Sequence, residues 1–191
     1  MPRIVAYEQV LARLNAQGMK CLYFNGGAFG FETSADVLAC GWIGPADASI
    51  RDEVMSLTRS VSPPYAQNLS QMLHRAWLEF LPGEIWVMPA SHWAYELDFG
   101  NAGWLHDALR EIGVDAADLQ SRTNAAAIEF ALSEASLART FIGQLLERLS
   151  DSDFVIAFPG RATLCSVHHH QQLWWQTTDA SLAGQLADVA V

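Results

Sequence analysis

Phe154-Val155-Ile156-Ala157-Phe158, then Pro159-Gly160-Arg161, then Ala162-Thr163-Leu164-Cys165 is the stretch that decides the fold. Two β-prone apolar runs flank a turn in which proline presets φ and Gly160 is available for positive φ, the signature of a hairpin. A hairpin pairs its strands antiparallel, because parallel neighbours need a crossover of a dozen residues or more. A second stretch has the same form: Pro89-Ala90-Ser91-His92 joins Glu84-Ile85-Trp86-Val87-Met88 to Trp93-Ala94-Tyr95-Glu96-Leu97. Other strand runs are read at 20–24, 37–43, 93–99 and 126–130, and residues 162–177 read as one long run.

Between these runs, apolar residues recur at helical spacing. The strongest stripe is Leu69, Met72, Leu73, Ala76, Trp77, Phe80 and Leu81, which opens after Ser62-Pro63-Pro64 and stops at Pro82-Gly83. Weaker stripes are Tyr7, Val10, Leu11 and Leu14 before Gly18, and Ile50, Val54, Leu57 and Val61. Leu105, Ala108, Leu109 and Ile112 before Gly113 form another, with a short turn from Asp115. Leu137, Phe141, Ile142, Leu145 and Leu149 form a wide one, and Leu182, Leu186 and Val189 after Asp179 close the chain. Helices packed on a largely antiparallel, mixed sheet make an α+β fold. An α-β-β order with a cysteine occurs at 6–43, ending at Cys40, and again at 135–170, ending at Cys165, so two pseudo-repeated units are one reading of the sequence. No Gly/Ser linker divides the chain, and residues 1–191 read as a single globular domain.

Composition narrows the function classes. The 191 residues are 51% hydrophobic and 17% charged, with a formal charge of −10. Disordered chains are apolar-poor and charge-rich, so this one is expected to fold. Lys20 is the only lysine, and the arginines are scattered singly. Nucleic-acid surfaces need clustered cations to displace counterions, so nucleic acid is not an expected partner. The chain lacks an apolar run long enough for a membrane span, and no membrane partner is expected. Its start lacks a basic segment followed by an apolar one. Cys21, Cys40 and Cys165 are widely spaced and odd in number. Both features point to reduced thiols and a cytoplasmic location.

Candidate chemistry concentrates in Cys165-Ser166-Val167-His168-His169-His170-Gln171-Gln172-Leu173-Trp174-Trp175. On one continuous strand His168, His170, Gln172 and Trp174 share a face. Neutral imidazoles at i, i+2 supply two metal ligands, and His92, Asp98 or Glu129 is the expected third for a divalent transition metal such as zinc, iron or manganese. Cys165 with His169 is the candidate nucleophile and base, although Cys165 falls on the apolar face of its strand. Glu129 lies between Ile128 and Phe130 as Asp98 lies between Leu97 and Phe99. Such carboxylates face water by alternation, or act as general acid and base where the face is covered. Ser91-His92 reads as turn chemistry and Asn25-Gly26-Gly27-Ala28-Phe29-Gly30 as a connection between two strands. His74 and His106 fall off their helix stripes and are expected at the surface.

Seven tryptophans are more than such a chain's core plainly needs. Trp174 and Trp175 are adjacent on a strand, which forces them onto opposite faces. Trp174, Gln172, His92 and Trp93 are therefore the expected ligand pocket. The leading expectation is a module that binds a small molecule or a protein partner, a second copy of itself included. The rival is a metal-dependent hydrolase or oxygenase on the histidine-rich strand, and a cysteine hydrolase comes third.

Overall fold

The computed structural model describes residues 1–23, 29–33, 38–45, 58–89, 103–121, 125–149, 154–168, 172–187 and 189; for some of these, His168 included, only the backbone is described. In chain order the elements are β1 (Arg3–Ala6), α1 (Tyr7–Ala16), β2 (Met19–Tyr23), β3 (Phe29–Thr33), β4 (Leu38–Pro45), β5 (Thr58–Val61), α2 (Tyr65–Phe80) and β6 (Ile85–Pro89). They continue with α3 (Gly103–Glu111), α4 (Ala116–Ser121), β7 (Ala125–Phe130), a 3-10 turn (Leu132–Glu134), α5 (Ala135–Arg148), β8 (Phe154–Phe158), β9 (Thr163–His168), β10 (Gln172–Thr177) and α6 (Ala180–Ala187).

One sheet takes its strands from almost the whole length of the chain, in the order β1-β7-β6-β8-β9-β10-β4-β5. Every neighbouring pair is antiparallel except β4 with β5, which is parallel. The fold is therefore α+β. The hairpin read at 154–165 is present, with Phe158 opposite Thr163 and the Arg161 N–H donating to the Phe158 carbonyl at 2.9 Å. Its positive φ falls on Ala162, at 47°, rather than on Gly160.

Alternation along the strands sorts two apolar layers. Ile85, Val87, Ile128, Phe130, Phe154, Ile156, Phe158, Cys165, Val167, Leu173 and Trp175 pack with the buried stripes of α2, α3, α5 and α6 on one face. Val5, Trp86, Met88, Ala127, Ala157 and Leu164 turn to the other face and meet Val10 and Leu14 of α1. Ile85-Trp86-Val87-Met88 is consequently buried at every position, as a strand covered on both faces must be.

Helix ends follow local chemistry. The Asp179 carboxylate accepts from the N–H groups of Ser181 and Leu182 at the start of α6, and the Asp115 carboxylate accepts from Ala117 N–H at the start of α4. Each satisfies donors that the first turn leaves without intrahelical partners. Gly18 closes α1 at φ +79°, with nothing within 4 Å of where a Cβ would stand. Gly18→Ala is therefore expected to destabilise by about 1 kcal/mol through backbone conformation alone. Urea denaturation followed by circular dichroism checks this, and an unchanged midpoint would refute it.

Several expectations are corrected. Residues 162–177 are two strands, not one: the chain runs out along β9, returns along β10, and sets Gln172 opposite His168. A single strand of that length would extend ~50 Å, far beyond the usual strand of five or six residues. Thr58–Val61, read as the end of a helical stripe, is β5; it brings Val61, 5% exposed, into the core. The rest of that stripe lies outside the described residues, as does the strand expected at 93–99. Both edges of β6, the proposed partner of the latter, are taken by β7 and β8. The α-β-β order does occur twice, as α1-β2-β3 and α5-β8-β9, each with an antiparallel pair. However, β2 and β3 form a separate two-stranded sheet, and Cys40 lies on β4 rather than β3. The echo is one of element order, not of position in the sheet. No helix among the described residues is long and apolar enough to cross a membrane.

Candidate functional site

The C-terminal hairpin places some of the expected site residues and separates others. Gln172 and Trp174 share a face of β10, and the Trp174 indole N–H donates to Gln172 Oε1 at 3.3 Å. Gln172 is buried and Trp174 half-buried, while Trp175 turns to the opposite face and is 4% exposed. By register Trp174 stands opposite Ser166 on β9 and Trp42 on β4. His92, Trp93, Asp98, His169 and His170 lie outside the described residues. His168 ends β9 and pairs with Gln172 at the start of β10, so an antiparallel hairpin rather than one continuous strand sets the His168, Gln172 and Trp174 positions on one face. Among the described residues no three His, Cys, Asp or Glu side chains gather as a metal site would require.

The two catalytic candidates that are described have structural surroundings. Cys165 is 0% exposed, in the apolar layer beneath the helices, with Trp175 and Ile156 opposite it in register. A thiol sealed in an apolar layer is not in the electropositive, part-exposed setting that makes a reactive thiolate. Glu129 does point away from Ile128 and Phe130, as alternation demands, but its carboxylate is engaged rather than hydrated. Arg3 donates to it twice, Nε to Oε1 at 2.6 Å and Nη2 to Oε2 at 3.0 Å, and the Trp86 indole N–H donates to Oε2 at 2.9 Å. Burial alone would raise the Glu129 pKa; the hydrogen bonds from Arg3 and Trp86, with the charge of Arg3, outweigh it and hold the carboxyl below the usual glutamate range. An ionised carboxylate with its lone pairs committed in this way fastens β1 to β7 and β6.

Concave space lies between α2 and α5. The two helices are joined where the Ser70 hydroxyl donates to the Arg139 carbonyl at 2.9 Å, beside Gly143, where a Cβ would stand in ordinary contact, 3.5 Å from Ser70 Oγ. Beside this crossing runs an open groove of about 640 Å³. Tyr65 and Gln67 line it from α2, and Arg139, Thr140 and Glu147 from α5. A volume of ~300–1,000 Å³ is that of ordinary small-molecule sites. The side chains of Tyr65, Gln67, Arg139 and Glu147 are not tied up by hydrogen bonds or ion pairs among the described residues.

Ser70 and Arg139 also line a second, much smaller space that reaches toward the sheet between Leu73, Trp77, Ile142 and Phe158. It offers about 10 Å³ to the centre of a water molecule, close to the ~10–15 Å³ that one buried water occupies by that measure. His74 lines it, half-buried rather than at the surface as its sequence position suggested. Its ring meets Trp77 edge to face, with centroids 6.5 Å apart, and its Nδ1 is buried without a hydrogen-bond partner. Burial, and then the positive charge of Arg139, lower the His74 pKa, so the ring is neutral at neutral pH. A buried polar atom without a partner costs about 1–3 kcal/mol, and native structures contain few of them. The sequence does carry a faint signal of this position. Ser70, His74 and Trp77 recur at i, i+4 and i+7, a second stripe beside the main one.

No family model, curated protein or solved structure matches the chain at a significant level.

Proposed function

We propose that the protein is a small-molecule-binding module whose ligand occupies the groove between α2 and α5. The observation that carries this reading is the groove itself. It has ligand-site volume, is held open by a fixed helix crossing, and is lined by polar side chains with unused hydrogen-bonding capacity. Placing the site on two packed helices, rather than on loops, gives it the rigidity that recognition needs. The groove is lined by one guanidinium-bearing and one carboxylate-bearing residue, Arg139 and Glu147, which suits a polar ligand with charged or hydrogen-bonding groups. A cytoplasmic setting fits the dispersed cysteines and the sealed, reduced state of Cys165.

The test is a thermal-shift screen of small polar metabolites against the wild type and a Thr140→Trp variant. Thr140 is exposed on α5 and lines the groove, so an indole there fills the groove without entering the core. The expected result is at least one compound that raises the wild-type Tm by a few degrees and leaves the variant unmoved. Such a shift corresponds to about 1 kcal/mol of linkage for a chain of this size. A screen without hits, or hits that stabilise both proteins equally, would overturn the groove as the site. Sedimentation of the same samples shows whether a second copy fills the groove instead: a mass near twice 21.0 kDa in the wild type, lost in the variant, would replace the small molecule with a dimer contact.

A further inference from the structure

We infer that His74 is an acid-sensitive latch on the crossing of α2 and α5. Neutral, its ring closes the small apolar space beneath the crossing; protonated, the ring has to leave that space, and the packing of α5 on α2 loosens. The inference stands on the crossing itself and not on any ligand, although Ser70 and Arg139, which border the space, line the groove as well.

An imidazolium carries an N–H on both ring nitrogens, whichever tautomer the neutral ring adopts. Protonated His74 therefore carries a donor at Nδ1, which is buried and has no partner. The walls of the space are apolar: Leu73 and Trp77 come from α2, Ile142 from α5, and Ile85, Ile156 and Phe158 from β6 and β8. The one hydroxyl among them, on Ser70, is directed to the Arg139 carbonyl, to which it donates. Among the described residues, the only titratable group that another element adds to these walls is Arg139, and its positive charge opposes a second one. On α2 itself, Arg75 and Glu79 pair with each other at 2.9 Å and are exposed. Nor does Trp77 take up the charge, since its ring centroid is 6.5 Å from that of His74, beyond the ~6 Å reach of a cation–π contact. A charge in such a place costs more than a neutral polar atom there. The ring is only half-buried, so turning outward brings the imidazolium to water. Burial, and then the charge of Arg139, hold its folded pKa below the unfolded value of ~6.5. The stability tied to the neutral ring is thus fully present above that value and is lost as pH falls through the folded one.

Ring-nitrogen NMR of His74 through a pH series, together with the methyl resonances of Leu73 and Ile142, reads the latch in the wild type. The ring is expected to titrate below the ordinary histidine value of ~6.5, and the methyl groups of both residues to shift with the same midpoint. Those of Leu14, on α1 at the other face of the sheet, are expected to stay unmoved. Thermal unfolding gives the stability side. Between about pH 7.5 and pH 5 the wild type should lose a few degrees of Tm more than His74→Phe, whose ring fills the site without a proton to bind. A ring that titrates at or above its ordinary value, methyl groups that ignore its titration, or equal Tm losses in the two proteins would each overturn the latch. Should His74→Phe not fold, the wild-type ring and methyl titrations decide alone. None of these measurements uses a ligand, so the latch can fail while the groove stands.

Discussion

Trp175→Ala is expected to lower the unfolding free energy by about 3–5 kcal/mol, while Trp174→Ala, one residue away, costs less than about 2 kcal/mol. The contrast follows from the two-residue period of a strand. Trp175 turns toward the helices, is 4% exposed, and stacks on Phe158 with centroids 5.7 Å apart and planes at 27°. By register it stands opposite Cys165, so its ring spans β10, β9 and β8 in the layer beneath the helices. Truncation opens a cavity as large as an indole in a layer whose neighbours are held by backbone ladders on both sides, and such a cavity collapses poorly. Trp174 faces the other way, half-buried, with its indole N–H on Gln172. Removing it exposes less apolar surface and frees one side-chain hydrogen bond. Urea denaturation followed by far-UV circular dichroism measures both, since fluorescence would change with the substitutions themselves. Equal losses would mean that the two indoles are equally buried, and the assignment of the two faces would fail with them.

What made this pair legible is what made most of the fold legible: local period and turn chemistry. The hairpin around Pro159-Gly160-Arg161, the long stripe of α2, and the capping aspartates of α4 and α6 are set within a dozen residues, and each formed where its pattern lay. The strands missed are β1, β3 and β5, each only four or five residues long; β3 includes Phe29-Gly30, which the sequence places in a glycine-rich connection. β1 offers only Ile4 and Val5, and β5 interrupts its run with Arg59 and Ser60. Both form because a neighbouring strand supplies a hydrogen-bonded edge, which is a non-local event. The site was less legible for the same reason. The histidine-rich stretch reads as one strand because nothing in its composition marks the division into β9 and β10. His74 reads as a surface residue in the sequence because the stripe of α2 shows where the sheet lies but not where α5 crosses. The small space lies where that second helix crosses, at the hydrogen bond from Ser70 to the Arg139 carbonyl.

Glu129→Ala is expected to cost about 2 kcal/mol at neutral pH, and Glu129→Gln about half as much. The alanine variant leaves the Trp86 indole N–H, on a residue only 6% exposed, without its acceptor, and it also removes the paired bonds from Arg3. Glutamine returns a neutral acceptor to the indole but not the charge that Arg3 holds, and Arg3 is 73% exposed, so the loss on its side is screened by water. The two variants must also differ in acid. Because the Glu129 carboxyl is held below its ordinary value in the folded state, its contribution is fully present above the unfolded pKa of ~4.3 and fades as pH falls through the lower folded value. Wild-type stability should therefore fall more steeply than that of Glu129→Gln on going from about pH 5 toward pH 3, and the gap between the two should close. Chemical denaturation at a series of pH values reads the gap directly. A gap that stays constant through this range would show that the carboxylate is not preferentially stabilised by folding, and that β1 is held to the sheet by its backbone ladder alone.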